Sequence, residues 1–200
     1  MMKLNFVLFA SFLFVATLTL AQKQEIIFDV IYKDEKVGAL HAQETKVGSK
    51  SIKVLTIETN STFFFIPIYM ESEVTAIQQD GVLIEGTAYR DASRKSSDVI
   101  ATVTKIGFQL YQRERNGVND QIKNKNLTFC VVDLYFKEPV GVTQVFSNMY
   151  SHMLQLKRID TGKYKLITPN NNNSIYTYVD GKLVSIEANT FVGKIFSVRI

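Results

Sequence analysis

The sequence predicts a mainly-β protein, an antiparallel and strongly curved sheet or open barrel of about ten to twelve strands with one short helix. Three observations carry this. Runs rich in Ile, Val, Phe, Tyr and Thr recur between polar turns. Several of those turns are Asp-Gly or Asn-Gly pairs, the residues that two-residue hairpins require. The one stretch that reads as helical lies between Asn126 and Met153.

The chain opens with residues 1–21, which read as a secretory signal peptide: Lys3 in a short basic start, an apolar run from Leu4 to Leu20, then Thr19-Leu20-Ala21. Cleavage is expected between Ala21 and Gln22. The competing reading is an uncleaved anchor, because about 20 apolar residues can span a bilayer, but Asn5, Ser11, Thr17 and Thr19 interrupt this run. The expected product, residues 22–200, is a single β-rich domain without a stable transmembrane span, periplasmic or secreted. Its expected charge is one less than the whole chain's +4, since only Lys3 is lost.

Within that domain, Glu25 to Tyr32 is the first strand and Lys33-Asp34-Glu35-Lys36 a polar turn. Val37 to Val47 returns, Gly48-Ser49-Lys50 turns, and Ile52 to Asn60 completes a three-stranded meander. Thr62 to Ile77 reads as one longer run, and its first half, Phe63-Phe64-Phe65-Ile66-Pro67-Ile68-Tyr69-Met70, is apolar on both faces. Pro67 cannot donate to a ladder, which places this stretch at an edge, bulge or bend. Asp80-Gly81 links it to Val82 to Tyr89. Val99 to Thr104 and Phe108 to Gln112 are two further strands, framed by hydrophilic links at Arg90–Asp98 and at Asn116-Gly117 with Asn119-Asp120. Val131 to Lys137 suits a short helix stopped by Pro139; Gln144 to Met153 is a second short helix or an irregular strand. Met153 to Ile159, Tyr164 to Thr168, Ile175 to Val179, Leu183 to Phe191 and Ile195 to Ile200 close the chain as strands, with turns at Asp160-Thr161-Gly162, Asp180-Gly181 and Gly193-Lys194.

Composition excludes several classes. With 46% apolar and 21% charged residues the chain is neither disordered nor low-complexity. Its mildly basic balance, in an exported protein, gives no footprint for nucleic acid. Cys130 is the only cysteine, so no intramolecular disulfide forms, and its apolar surroundings Leu127-Thr128-Phe129-Cys130-Val131-Val132 read as a buried, inert thiol. His41 and His152 are too few for a zinc site without distant carboxylates, so neither metal nor cofactor is expected. No nucleotide-binding loop, nucleophile elbow or zinc-protease helix occurs. A hydrolase would have to use scattered carboxylates, such as Asp29, Glu73, Asp98, Asp133 and Glu138, or Cys130 with His152.

Three segments resemble a family of small exported proteins of Bacteroidota whose domain has no known function: Phe28-Asp29-Val30-Ile31-Tyr32-Lys33 with Lys36-Val37-Gly38, Asp133-Leu134-Tyr135-Phe136-Lys137-Glu138-Pro139 with Gly141, and Tyr176-Thr177-Tyr178 with Gly181. The resemblance implies a β-rich fold, a curved sheet or open barrel around a short helix, and no catalytic residues. A more distant likeness, at fold level, is to periplasmic half-barrels that carry lipoprotein acyl chains.

The expectation is therefore a non-catalytic exported binding protein that holds a lipid, an acyl chain or another apolar or amphipathic ligand in a curved sheet. Its wall would be the lip formed by Phe63, Phe64, Phe65, Ile66, Ile68, Tyr69 and Met70. The alternative is an envelope protein that docks another protein through that lip or a sheet edge; the hydrolase ranks third.

Overall fold

The computed structural model describes residues 21–63, 66–169, 172–190 and 193–200, with the side chains of Phe63, Ile66 and Pro67 left aside. Residues 1–20 of the expected leader 1–21, and the lip residues Phe64 and Phe65, lie outside the described residues.

Among the described residues, one antiparallel sheet of fourteen strands accounts for the fold. In chain order these are β1 (Gln22–Tyr32), β2 (Glu35–Val47), β3 (Lys50–Phe63), β4 (Ile66–Gln79), β5 (Val82–Ala92), β6 (Val99–Gly107), β7 (Leu110–Arg115), β8 (Val118–Lys123), β9 (Gln144–Ser147), β10 (His152–Asp160), β11 (Lys163–Ile167), β12 (Ser174–Val179), β13 (Lys182–Thr190) and β14 (Gly193–Arg199). The chain starts in mid-sheet at β1 and steps strand by strand to β8 at one edge. It then crosses through residues 124–143 to β9 at the opposite edge and steps back until β14 pairs with β1, Phe28 opposite Arg199.

Turn chemistry explains three of the hairpins. Asp80-Gly81, Asn116-Gly117 and Asp180-Gly181 have positive φ at both residues, the type I′ geometry whose twist matches that of the strands they join. Gly38 meets a different need: a Cβ there would lie 2.0 Å from the Glu58 carbonyl oxygen of β3, so only glycine lets the two strands close up.

The count of fourteen corrects the expected ten to twelve. Asn119-Asp120 lies within β8, an edge strand of mostly polar residues, VNDQIK, that carries no alternating apolar signal. Gln144–Ser147 is strand β9, its inner residues Val145 and Phe146 fully buried. The turn expected after Asn60 falls later, since β3 runs on to Phe63 and pairs with Ile66, and β13 ends at Thr190.

The short helix is also corrected. Among the described residues there is no α-helix; Val131–Tyr135 forms a five-residue 3-10 turn. Pro139 and the surrounding sheet leave no length for a longer helix, and Asp133 fixes the turn by accepting a hydrogen bond from the Cys130 backbone N–H at 2.6 Å.

The crossover acts as a plug against the buried face of the sheet. Leu127 accepts a hydrogen bond from the Leu83 N–H at 2.8 Å and donates to the Tyr111 hydroxyl at 3.2 Å, while the Phe146 N–H donates to the Phe129 carbonyl at 2.8 Å. Leu127, Cys130, Val132 and Leu134 join Phe28, Leu83, Tyr111, Phe146, Leu156 and Leu183 in one core. The sheet stays open, because β8 and β9 do not pair. Side chains link the two halves of the sheet: Asn148 Nδ2 donates to the Thr75 carbonyl at 2.9 Å, Arg115 Nε to the Met149 carbonyl at 2.9 Å, and Lys125 Nζ to Gln144 Oε1 at 3.1 Å.

Candidate functional site

Strand alternation brings four polar residues onto the inward face. In β2 the buried positions are Leu40, Ala42 and Glu44; in β3 they are Leu55 and Lys53; in β4, Ser72, Ala76 and Gln78, and of the polar four Glu44, Lys53 and Gln78 lie together. Glu44 lies directly opposite Lys53, and Gln78 opposite Ser51. The plug adds Asp133 from above.

The result is a closed network of charge. Lys53 Nζ lies 2.7 Å from Asp133 Oδ1, 3.3 Å from Glu44 Oε1 and 2.5 Å from Gln78 Oε1. Gln78 Nε2 donates to Asp133 Oδ2 at 3.0 Å. Ser51 Oγ donates to Glu44 Oε1 at 3.0 Å, and Lys46 Nζ sits 3.0 Å from Glu44 Oε2. The Lys53, Glu44 and Asp133 side chains are each less than a tenth exposed, so these partners replace water that burial has removed. Burial raises the pKa of Glu44, but the hydrogen bonds from Lys46 and Ser51 and the charge of Lys53 outweigh it and hold the carboxyl below its ordinary value.

Above this floor opens a cleft of about 440 Å³. The β2–β3 turn, the β4–β5 turn and the plug form its sides. Lys46, Lys50 and Lys137 line it together with the half-buried rings of Phe129 and Phe136. A second cleft, about 460 Å³, lies between residues 140–143 and β10 and has no buried charge beneath it.

Aromatic contacts hold the plug that builds the cleft. Tyr178 donates to the Leu134 carbonyl at 2.6 Å and Tyr164 to Glu138 Oε1 at 2.9 Å. Tyr135 meets Phe28 and Tyr176 edge-on, with centroids 6.0 Å and 6.2 Å apart, a favourable alignment of ring edges and faces.

The lip is at the other end of the molecule from the cleft. The cleft sits at the start of β3 near Lys50, and the lip at its end, about 40 Å along the strand at roughly 3.3 Å per residue. There the hairpin runs past its neighbours: β2 stops pairing with β3 at Thr59 and β5 with β4 at Met70. Among the described residues, Ser61↔Ile68, Thr62↔Pro67 and Phe63↔Ile66 therefore have no strand on either flank. The Tyr69 N–H donates to Ser93 Oγ on the β5 side, and Pro67, two residues earlier, has the same orientation. Its missing donor therefore faces a locally unpaired edge, as the sequence suggested. Tyr69 is exposed, and Ile68 and Met70 are half-buried.

The other sequence candidates are scattered. Cys130 is fully buried, and burial pushes its thiol far above the ordinary range. His152 Nδ1 contacts the Tyr150 carbonyl at 2.9 Å, and no hydrogen bond joins it to Cys130 among the described residues. His41 lies 3.8 Å from Glu25 on the sheet surface. Asp29 pairs with Lys36 at 2.6 Å, Glu138 holds Tyr164, Asp98 caps the Ala92 N–H, and Glu73 is exposed. Of the five carboxylates only Asp133 reaches the cleft; Glu44, Lys53 and Gln78 escaped the sequence reading. Their signal was parity: each falls on the inward register of its strand, where a charge demands a partner.

Among the described residues no group of three or more His, Cys, Asp and Glu side chains is placed to hold a metal, and no helix is long and apolar enough to cross a membrane. No curated protein and no solved structure matches the chain. A family model described as a domain of unknown function, DUF6134, matches residues 28–200. That match spans the sheet from within β1 to the end of β14 and includes the whole plug, and the chain belongs to the DUF6134 family of domains of unknown function.

Proposed function

We propose that this is an exported binding protein, without catalysis, that holds an amphipathic ligand such as a lipid or acyl chain in the cleft beside the plug. The observation that carries the reading is the pairing of surfaces in that cleft: the rings of Phe129 and Phe136 stand beside a polar, fully hydrogen-bonded floor. A volume of about 440 Å³ falls in the range of small-molecule sites, which combine apolar walls with a few placed polar groups. The plug packs into the core behind the cleft, so the ligand lies against the plug and not within the sheet.

Hydrogen exchange on the exported protein, as isolated and after solvent stripping, tests the reading. Loss of protection confined to residues 46–51, 78–81 and 128–137 is the expected result. Identical exchange in the two samples would overturn it.

A second reading follows from the hairpin at Phe63 to Met70, which extends beyond both neighbouring strands. It makes this an envelope protein that docks a partner through the hairpin tip. A photo-crosslinker at Tyr69 would then capture one discrete partner, and Phe64→Asp would abolish the capture without lowering thermal stability.

A further inference from the structure

We infer that the cleft recognises an anionic head group, a carboxylate or phosphate, through Lys50 and Lys137. The inference rests on the cleft-binding reading above and adds the chemistry of the ligand's polar end.

The floor is electrically complete. The three N–H donors of Lys53 are matched by Asp133, Glu44 and Gln78. Both oxygens of each carboxylate are also engaged: Glu44 Oε1 by Ser51 and Lys53, Glu44 Oε2 by Lys46, Asp133 Oδ1 by Lys53, and Asp133 Oδ2 by Gln78 and the Cys130 N–H. A cationic ligand would find no unsatisfied carboxylate in the cleft and would face the lysines instead.

The rim is not balanced. Four lysines, Lys46, Lys50, Lys53 and Lys137, line the cleft against two carboxylates, Glu44 and Asp133. Lys53 and Lys46 account for those two. Lys50, at the start of β3, and Lys137, just after the 3-10 turn, are exposed and have no carboxylate within ion-pair distance among the described residues. They enter from two different elements across one opening, so their fields add where a ligand's polar end would sit.

The type of cation narrows the chemistry further. No arginine lines the cleft, so the planar fork that selects bidentate geometry is missing. Lysine is a compact point charge on a flexible stem and accepts carboxylate and phosphate alike. Phe129 and Phe136 beside them supply apolar surface for the chain attached to such a group.

The test titrates the stripped protein, by calorimetry at low salt, with dodecanoate, dodecyl phosphate, a neutral dodecyl glycoside and inorganic phosphate. Wild type should bind both anionic amphiphiles at least about tenfold more tightly than the glycoside, and Lys50→Glu with Lys137→Glu should abolish that preference. Both positions are exposed, and an unchanged unfolding midpoint confirms that the variant folds. Equal affinity for the glycoside and the anions, or an anion preference that survives the double variant, overturns the inference while the cleft-binding reading stands. Binding of inorganic phosphate as tight as dodecyl phosphate supports the anion site and overturns the amphipathic reading. Absence of binding by every probe overturns both.

Discussion

Lys53 Nζ lies 2.7 Å from Asp133 Oδ1, and this contact ties the sheet to the crossover segment packed against it. Lys53 belongs to β3 and Asp133 to the 3-10 turn of the plug, eighty positions later in the chain. The same carboxylate caps its own turn through the Cys130 N–H, so one side chain sets both the shape of the plug and its seat.

Asp133→Ala should therefore cost about 3–5 kcal/mol, the usual penalty for leaving a buried charge without a partner. Urea unfolding measures it. Adding Lys53→Met to Asp133→Leu should cost less than the sum of the two changes, because neither partner of the ion pair is left buried without the other. A double variant as unstable as the sum of its parts would show the pair to be uncoupled.

The depressed pKa of Glu44 gives stability a definite pH dependence. A carboxyl held below its unfolded value stabilises the fold above that unfolded value, near 4.5, and the contribution is lost as pH falls through the lower folded value. Asp91, beside Lys95, and Asp120, beside Arg113, are shifted in the same direction, so acid lability has several sources. Glu44→Gln should flatten part of the decline below about pH 4.5 and lower stability at neutral pH. Denaturant midpoints from pH 3 to pH 7 would show it.

Gly38→Ala should destabilise the protein by about 1–3 kcal/mol, as expected when a well-packed contact is overfilled. The clash is with the Glu58 carbonyl in the neighbouring backbone, which has no side-chain rotamer to escape into. The thermal midpoint would report the loss.

Cys130 should resist thiol reagents in the native state. It is fully buried, and burial pushes its pKa far upward. Labelling at pH 8 should track unfolding, with a rate that rises with denaturant; rapid labelling of the native protein would mean that the plug opens.

Tyr178→Phe should cost about 1–3 kcal/mol, since the Leu134 carbonyl would lose its 2.6 Å donor in a buried setting. The effect should fall on the plug first, read as faster amide exchange around Leu134 than in β1.

Much of this architecture was legible in the sequence where local chemistry decides. Asp80-Gly81 and Asp180-Gly181 mark their hairpins unmistakably, because few other residue pairs accept positive φ twice in succession. Pro67 marked a place where a strand lacks a neighbour. β8 was hidden because a polar edge strand has no buried face to write an alternating pattern. The turn at Val131–Tyr135 carries helix-compatible residues, yet its form is set by the Asp133 cap on the Cys130 N–H and by Tyr178 and Lys53, the last two distant in sequence. The cleft was missed for the same reason. Glu44, Lys53, Gln78 and Asp133 come from four segments, and only strand register brings them together.

The most direct test of the central claim is native mass spectrometry of the protein expressed with its leader and purified gently from the exported fraction. The account predicts a discrete added mass that extracts into organic solvent and is lost in Phe129→Asp. A bare protein mass under every gentle condition, for wild type and variant alike, would contradict it and turn attention to the hairpin tip.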